Sequence, residues 1–235
     1  MSEQLKNIGE GKISNVECTA VCDIDSEKLS RYETLYPDVK PYDAFETMLA
    51  QHDADAVLIA VPHYFHPSMA IQAFKAGYHV ITEKPAGVYS AQVLEMISEA
   101  KKHPDLVFGI MYNQRTNPVF QKARELITTG QLGNIVRSSW IVTDWYRNQA
   151  YYNSSSWRAT WSQEGGGVLI NQAAHQLDLW QWICGMPQPA SFSISRPSST
   201  KGKPRSSASM RPSVDLPAPR SPTSAIWLRR RRSSL

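Results

Sequence analysis

Residues 54–61, ADAVLIAV, and 106–112, LVFGIMY, are apolar along almost their whole length and too short for buried helices. A strand that alternates polar and apolar residues has one wet face. A strand without alternation must be covered on both faces, as it is inside a parallel sheet flanked by helices. Glu17 to Asp23 and His79 to Glu83 read as further strands. Helical stretches run from Ser26 to Tyr36, Ala44 to Gln51, His66-Pro67 to Ala76, and from an N-cap at Ser90 to about His103, with Pro37 and Gly77 as stop signals. Strand and helix alternating in this way over residues 17–113 predict an α/β fold built on a parallel sheet.

After Pro118 the pattern changes. A helix from Val119 to Thr129 is closed by Gly130, a longer strand is expected from Ile135 to Trp145, and a second helix from about Val168 to Ile183. This reads as the start of an α+β domain. From about Ser191 the chain turns rich in Ser, Pro and Arg and ends in Arg229-Arg230-Arg231-Arg232, with no strand or helix period. The expected organisation is a partial nucleotide-binding domain over 1–117, a partial substrate domain over 118–189 and a disordered tail over 190–235. The abrupt change suggests a shifted reading frame near residue 190.

The net charge of +4 conceals this division. From Ala190 onward ten Lys or Arg face a single acid, Asp215, which leaves 15 basic and 20 acidic residues before it. An acidic body argues against a specific nucleic-acid partner, although four consecutive arginines would attract nucleic acid in a salt-sensitive, sequence-blind way. No apolar run reaches the roughly 18 residues of a membrane span. Three cysteines give neither metal spacing nor an even disulfide framework, so a cytoplasmic location and no metal are expected.

Candidate chemistry gathers at the ends of the expected strands, where open α/β sheets bind ligands. Asp23 is placed to accept hydrogen bonds from an adenosine ribose, and would favour NAD over NADP by repelling a 2′-phosphate; it also reads as a solvated strand-end aspartate. Pro62, His63 and His66 lie in a loop able to run along a cofactor, and the two histidines also read as ordinary turn and helix-start residues. Glu83-Lys84-Pro85 puts a lysine at a strand end, with its backbone restricted by the proline. An ammonium there stabilises a developing alkoxide. Gly165-Gly166-Gly167 precedes Asn171, His175 and Asp178, which share a helix face, and histidine suits general-base work near neutrality. The dense aromatics Trp140, Trp145, Tyr146, Tyr151, Tyr152, Trp157 and Trp161 suit stacking on sugar rings, core packing or a subunit interface equally. A G-x-G-x-x-G turn ahead of Asp23's strand is not found: Gln4 to Ile8 reads as the first helix already under way, and Gly9-Glu10-Gly11 as its cap and turn.

Val21-Cys22-Asp23, Ala76-Gly77-Tyr78-His79-Val80 with Glu83-Lys84-Pro85, Asn113-Gln114-Arg115, Trp157-Arg158, and the run from Gly165 to Asp178 together resemble the glucose–fructose oxidoreductase and inositol dehydrogenase family (Gfo/Idh/MocA). The resemblance covers most of residues 4–187. It implies a Rossmann domain missing its first strand and phosphate loop, an open-sheet substrate domain, a sugar or polyol substrate, NAD as cofactor, and a homo-oligomer in intact members. It also implies that Lys84, His175 and Asn171 are catalytic, and that Asp23, Pro62, His63, His66, Glu83, Lys84 and Asn113 lie along the cofactor. Arg115, Trp157, Arg158, Asn171, His175 and Asp178 would line the substrate. Many members carry aspartate where this chain has Asn171, and an amide cannot take a proton. A hydride-transferring dehydrogenase, impaired in this form, is the first expectation. A non-catalytic sugar- or partner-binding remnant and an NAD-dependent glycoside-cleaving relative are the alternatives.

Overall fold

A computed structural model describes residues 6–8, 10, 12–143, 146–186 and 224–230. Its strands are β1 (Val16–Asp23), β2 (Lys40–Tyr42), β3 (Ala56–Ile59), β4 (His79–Thr82), β5 (Phe108–Ile110) and β6 (Ser224–Arg230). The helices are α1 (Ser26–Leu35), α2 (Phe45–Leu49), α3 (His66–Lys75), α4 (Ser90–Ala100), α5 (Pro118–Thr128), α6 (Gln149–Asn153) and α7 (Ala173–Cys184). One sheet runs β2-β1-β6-β3-β4-β5. The pairs β1–β2, β3–β4 and β4–β5 are parallel, as expected from the apolar β3 covered on both faces.

Strand periodicity distributes the core. Val57 and Ile59 pack on one face with Cys22, Val80, Phe74, Met48 and Met96, under α2, α3 and α4. Leu58 and Val21 point to the other, against Leu29 and Tyr32 of α1. Asp25 caps α1 by accepting the Glu27 and Lys28 N–H groups. α4 begins at Ser90 itself, after Tyr89, so the serine is not its cap.

Three expectations fail here. Residues 135–143 form no strand, and Trp145 lies outside the described residues. A strand needs a pairing partner, and none among the described residues meets this stretch; Val136 and Ile141 are 98% and 82% exposed. The helix expected from Val168 starts only at Ala173, because residues 168–172 form turns behind the glycine triplet. Most unlike the expectation, the tail contributes β6, in the middle of the sheet and antiparallel to both β1 and β3. Ala225, Ile226 and Trp227 are fully buried there, the Trp227 ring 5.3 Å from that of Tyr78. Ser, Pro and Arg on either side had masked a four-residue apolar run, Ala225 to Leu228, long enough to bridge two open strand edges. The rest of the tail, and Gly9 and Gly11, lie outside the described residues.

Candidate active site

β3, β4 and β5 end on the same side of the sheet; the loops after β3 and β4 meet the segment before α7, and the loop after β5 meets α7 itself. Lys84 leaves β4 after Thr82 and joins Pro85 through a cis peptide bond. Its Nζ donates to the Asn171 main-chain oxygen at 2.8 Å and to Asn171 Oδ1 at 3.1 Å. The structure thus brings together two motifs whose bonded residues lie 87 positions apart in the sequence. Burial, the largest influence, holds the Lys84 pKa below the usual lysine range; the guanidinium of Arg158 acts in the same sense, against Glu83. Glu83 is pushed the other way, its carboxyl pKa raised by burial.

His175 stands in the first turn of α7, half-buried, with the Tyr112 ring edge-on at 6.2 Å. Burial first, and the Lys84 charge second, lower its pKa. Its Nδ1 is enclosed without a hydrogen-bond partner, as expected of a ring whose partner is a ligand. A neutral imidazole beside a lysine is a base ready to take a proton.

His63 is 4% exposed. Its Nδ1 donates to the Glu164 carbonyl at 2.8 Å, its ring meets Trp157 edge-on, and burial drives its pKa down to about 4. His66 is fully enclosed, with both ring nitrogens against carbonyl oxygens of Pro85 and Val61. Neither nitrogen is open to a cofactor, which corrects the expectation for His66. Pro62 is buried ahead of these two residues, and Asn113 is exposed after β5. Asp23, 2% exposed, accepts the Asp25 N–H at 3.0 Å and lies 3.7 Å from Lys28.

Arg115 and Asp178 find each other rather than open space, bonding through two nitrogens and two oxygens at 2.8 and 2.5 Å. The pair clamps the loop after β5 to α7. Arg158 donates to the Tyr151 hydroxyl at 2.7 Å and lies over the Trp157 ring. The aromatics do not form one surface. A cavity of about 450 Å³ between Trp140, Tyr152 and Trp180 opens on the Gln172–Gln176 face of α7, away from His175.

Sequence reasoning missed Glu164. It is 4% exposed and accepts from the Ala159 N–H at 2.8 Å and from the Asn171 amide nitrogen. The turn that aims it inward needs Gly165, at φ +78°, where a Cβ would stand 2.5 Å from Val88. An acid touching a glycine triplet was the available signal.

The nicotinamide end of a dinucleotide fits these residues, given the orphaned nitrogen of His175 and the lysine beside it. For the pyrophosphate end no cradle stands among the described residues. The amino end of β6 occupies the position between β1 and β3, and the first amides of α1 are taken by Asp25.

Comparison with known proteins places these features. Residues 3–110 match the model of an oxidoreductase family with an NAD-binding Rossmann fold, and residues 120–211 match the GFO/IDH/MocA C-terminal domain. D-glucoside 3-dehydrogenase of Escherichia coli is 29% identical over 176 residues, 74% of this chain and 48% of that protein. The WlbA dehydrogenase of Bordetella pertussis, solved with NADH and UDP-GlcNAcA, superposes with a TM-score of 0.67 at 29% identity, over 78% of this chain and 54% of its own. Myo-inositol 2-dehydrogenase of Lactobacillus plantarum gives 0.60 at 27%, over 71% and 48%. The chain spans about half the length of the curated relatives it matches or less.

Proposed function

Because the chain belongs to the Gfo/Idh/MocA oxidoreductase family, we propose that it serves NAD-dependent oxidation of a secondary hydroxyl on a sugar or polyol. The observation that carries this reading is the Lys84–Asn171 bond, which places the strand-end lysine beside the helix of His175. Neutral His175 takes the hydroxyl proton. The Lys84 ammonium faces the oxygen on which negative charge develops. Bound NAD supplies the acceptor for the hydride that leaves the same carbon. Asn171, an amide, holds the lysine and accepts no proton. Asp23 favours NAD over NADP from the end of β1.

The chain is further expected to hold NAD(H) weakly, since the amino end of β6 fills the position between β1 and β3 on the side where the sheet's ligands bind. The same observation favours a second reading, a sugar-binding protein that needs no cofactor. Titration calorimetry with NADH, and with inositols, aldoses and uronic acids with and without NADH, separates the two. Cofactor-dependent sugar binding together with NADH formation supports the dehydrogenase; sugar binding indifferent to NADH would replace it. In the active chain His175→Ala is expected to lower turnover by about 10²–10⁴-fold.

A further inference from the structure

Glu164 has no part in the reaction just described, yet its carboxylate is buried. That is costly unless hydrogen bonds to the charged form replace water. The Ala159 N–H and the Asn171 amide nitrogen supply them. The partners also decide which way the Asn171 amide points. A lysine ammonium only donates, and an ionised carboxylate only accepts. Between them the amide must turn Oδ1 to Lys84 and Nδ2 to Glu164; reversed, it would set donor against donor and acceptor against acceptor. No other side chain among the described residues bonds this amide.

We propose that Glu164 is a positioning residue of the lysine centre: its carboxylate orients the Asn171 amide, and the amide holds the Lys84 ammonium in place. A carboxylate that does not touch the lysine thereby sets where the lysine stands. The inference rests on Lys84 being the centre of the proposed reaction. Other groups face the lysine too. Glu83 and Glu164 favour its charged form, whereas Arg158 and Arg147 disfavour it. The ammonium in turn disfavours protonation of His63, His66 and His175.

Competitive acetylation with trace acetic anhydride reads Lys84 directly in the full chain, with peptide mass spectrometry and without need of turnover. Glu164→Gln keeps the shape and an acceptor for the Ala159 N–H, but carries no charge and lets the Asn171 amide turn. It is expected to raise Lys84 acetylation near neutral pH several-fold against the exposed Lys101, and to move the half-labelling point to lower pH. In an Asn171→Ala background the same change should have less than half that effect, because the amide that transmits it is gone. Unchanged labelling in Glu164→Gln, or an equal effect in both backgrounds, would overturn the proposal. If Glu164→Gln loses the fold by circular dichroism, Glu164→Asp, which withdraws the carboxylate but keeps its charge, carries the same comparison. Turnover measured on the same preparations separates the two ideas. Coupled labelling without NADH formation sinks the reaction and leaves the positioning role, and the converse result does the reverse.

Discussion

His63 offers the sharpest single-residue test of how the site is held. Its pKa lies at about 4 in the folded chain against 6.5 for an unburied histidine, chiefly through burial. The unfolded chain therefore binds more protons between these values, so the contribution of His63 to stability is complete above about pH 6.5 and is lost as pH falls toward 4. The loss approaches about 3 kcal/mol. Urea unfolding at stepped pH should show that decline in the unsubstituted chain and a flatter one in His63→Gln, whose amide still donates to the Glu164 carbonyl. Parallel curves would remove His63 as the cause. The proposed catalytic pair has its own signature. His175 and Lys84 are both shifted downward, first by burial, so the kcat/KM profile should lie at lower pH than ordinary histidine and lysine values would place it. Its acid limb would follow His175, and its basic limb, lost in Lys84→Ala, would follow the lysine. Lys84 and His175 stand out in the sequence because strand-end and helix positions are local properties, whereas Asn171, expected on the helix face of His175, lies in the turns ahead of α7. Glu164 was not legible, since its burial depends on a loop folding back onto the amide of a residue seven positions on.

At the scale of elements, the glycine triplet shows which part of a motif carries the geometry. Gly165 sits at positive φ with Val88 and Tyr64 against it, whereas nothing lies within 4 Å of a Cβ at Gly167. Gly165→Ala should therefore cost more than about 1 kcal/mol and disturb the Glu164 contacts, while Gly167→Ala stays close to neutral in the same thermal melts. Equal effects would mean that the triplet acts through flexibility rather than through one turn. The strands β3 and β5 were legible because each is apolar over its own few residues, and β4 because Val80-Ile81 follows a helix closed by Gly77. The stretch 135–143 looked like a strand from its composition alone, but pairing is decided by partners elsewhere in the chain. For β6 the reverse held. A short apolar run in polar, proline-rich surroundings has no strand signature, and only the open edges of β1 and β3 reveal what it does.

For the whole molecule, β6 joins two halves that are otherwise separate parts of the sheet, β2–β1 on one side and β3–β4–β5 on the other. Trp227 faces Ala20 across one junction and Val57 across the other, so a single side chain seals both. Its truncation leaves a large cavity at the centre, and Trp227→Ala is expected to cost about 3–5 kcal/mol, of the order of a small domain's whole stability. Chain length between the halves matters less. Residues 185–223 lie between α7 and β6 in the sequence, and the entropic cost of bringing two points of a chain together grows only logarithmically with their separation. The strand should therefore also work when cut free. A chain ending at Met186 is expected to unfold without a sharp transition, and a peptide of residues 221–235 added in excess should restore cooperative melting through the same backbone pairing. The Trp227→Ala peptide should restore far less. If the shortened chain melts as the full one does, the two halves hold each other without β6, and the central strand is an accessory rather than the join.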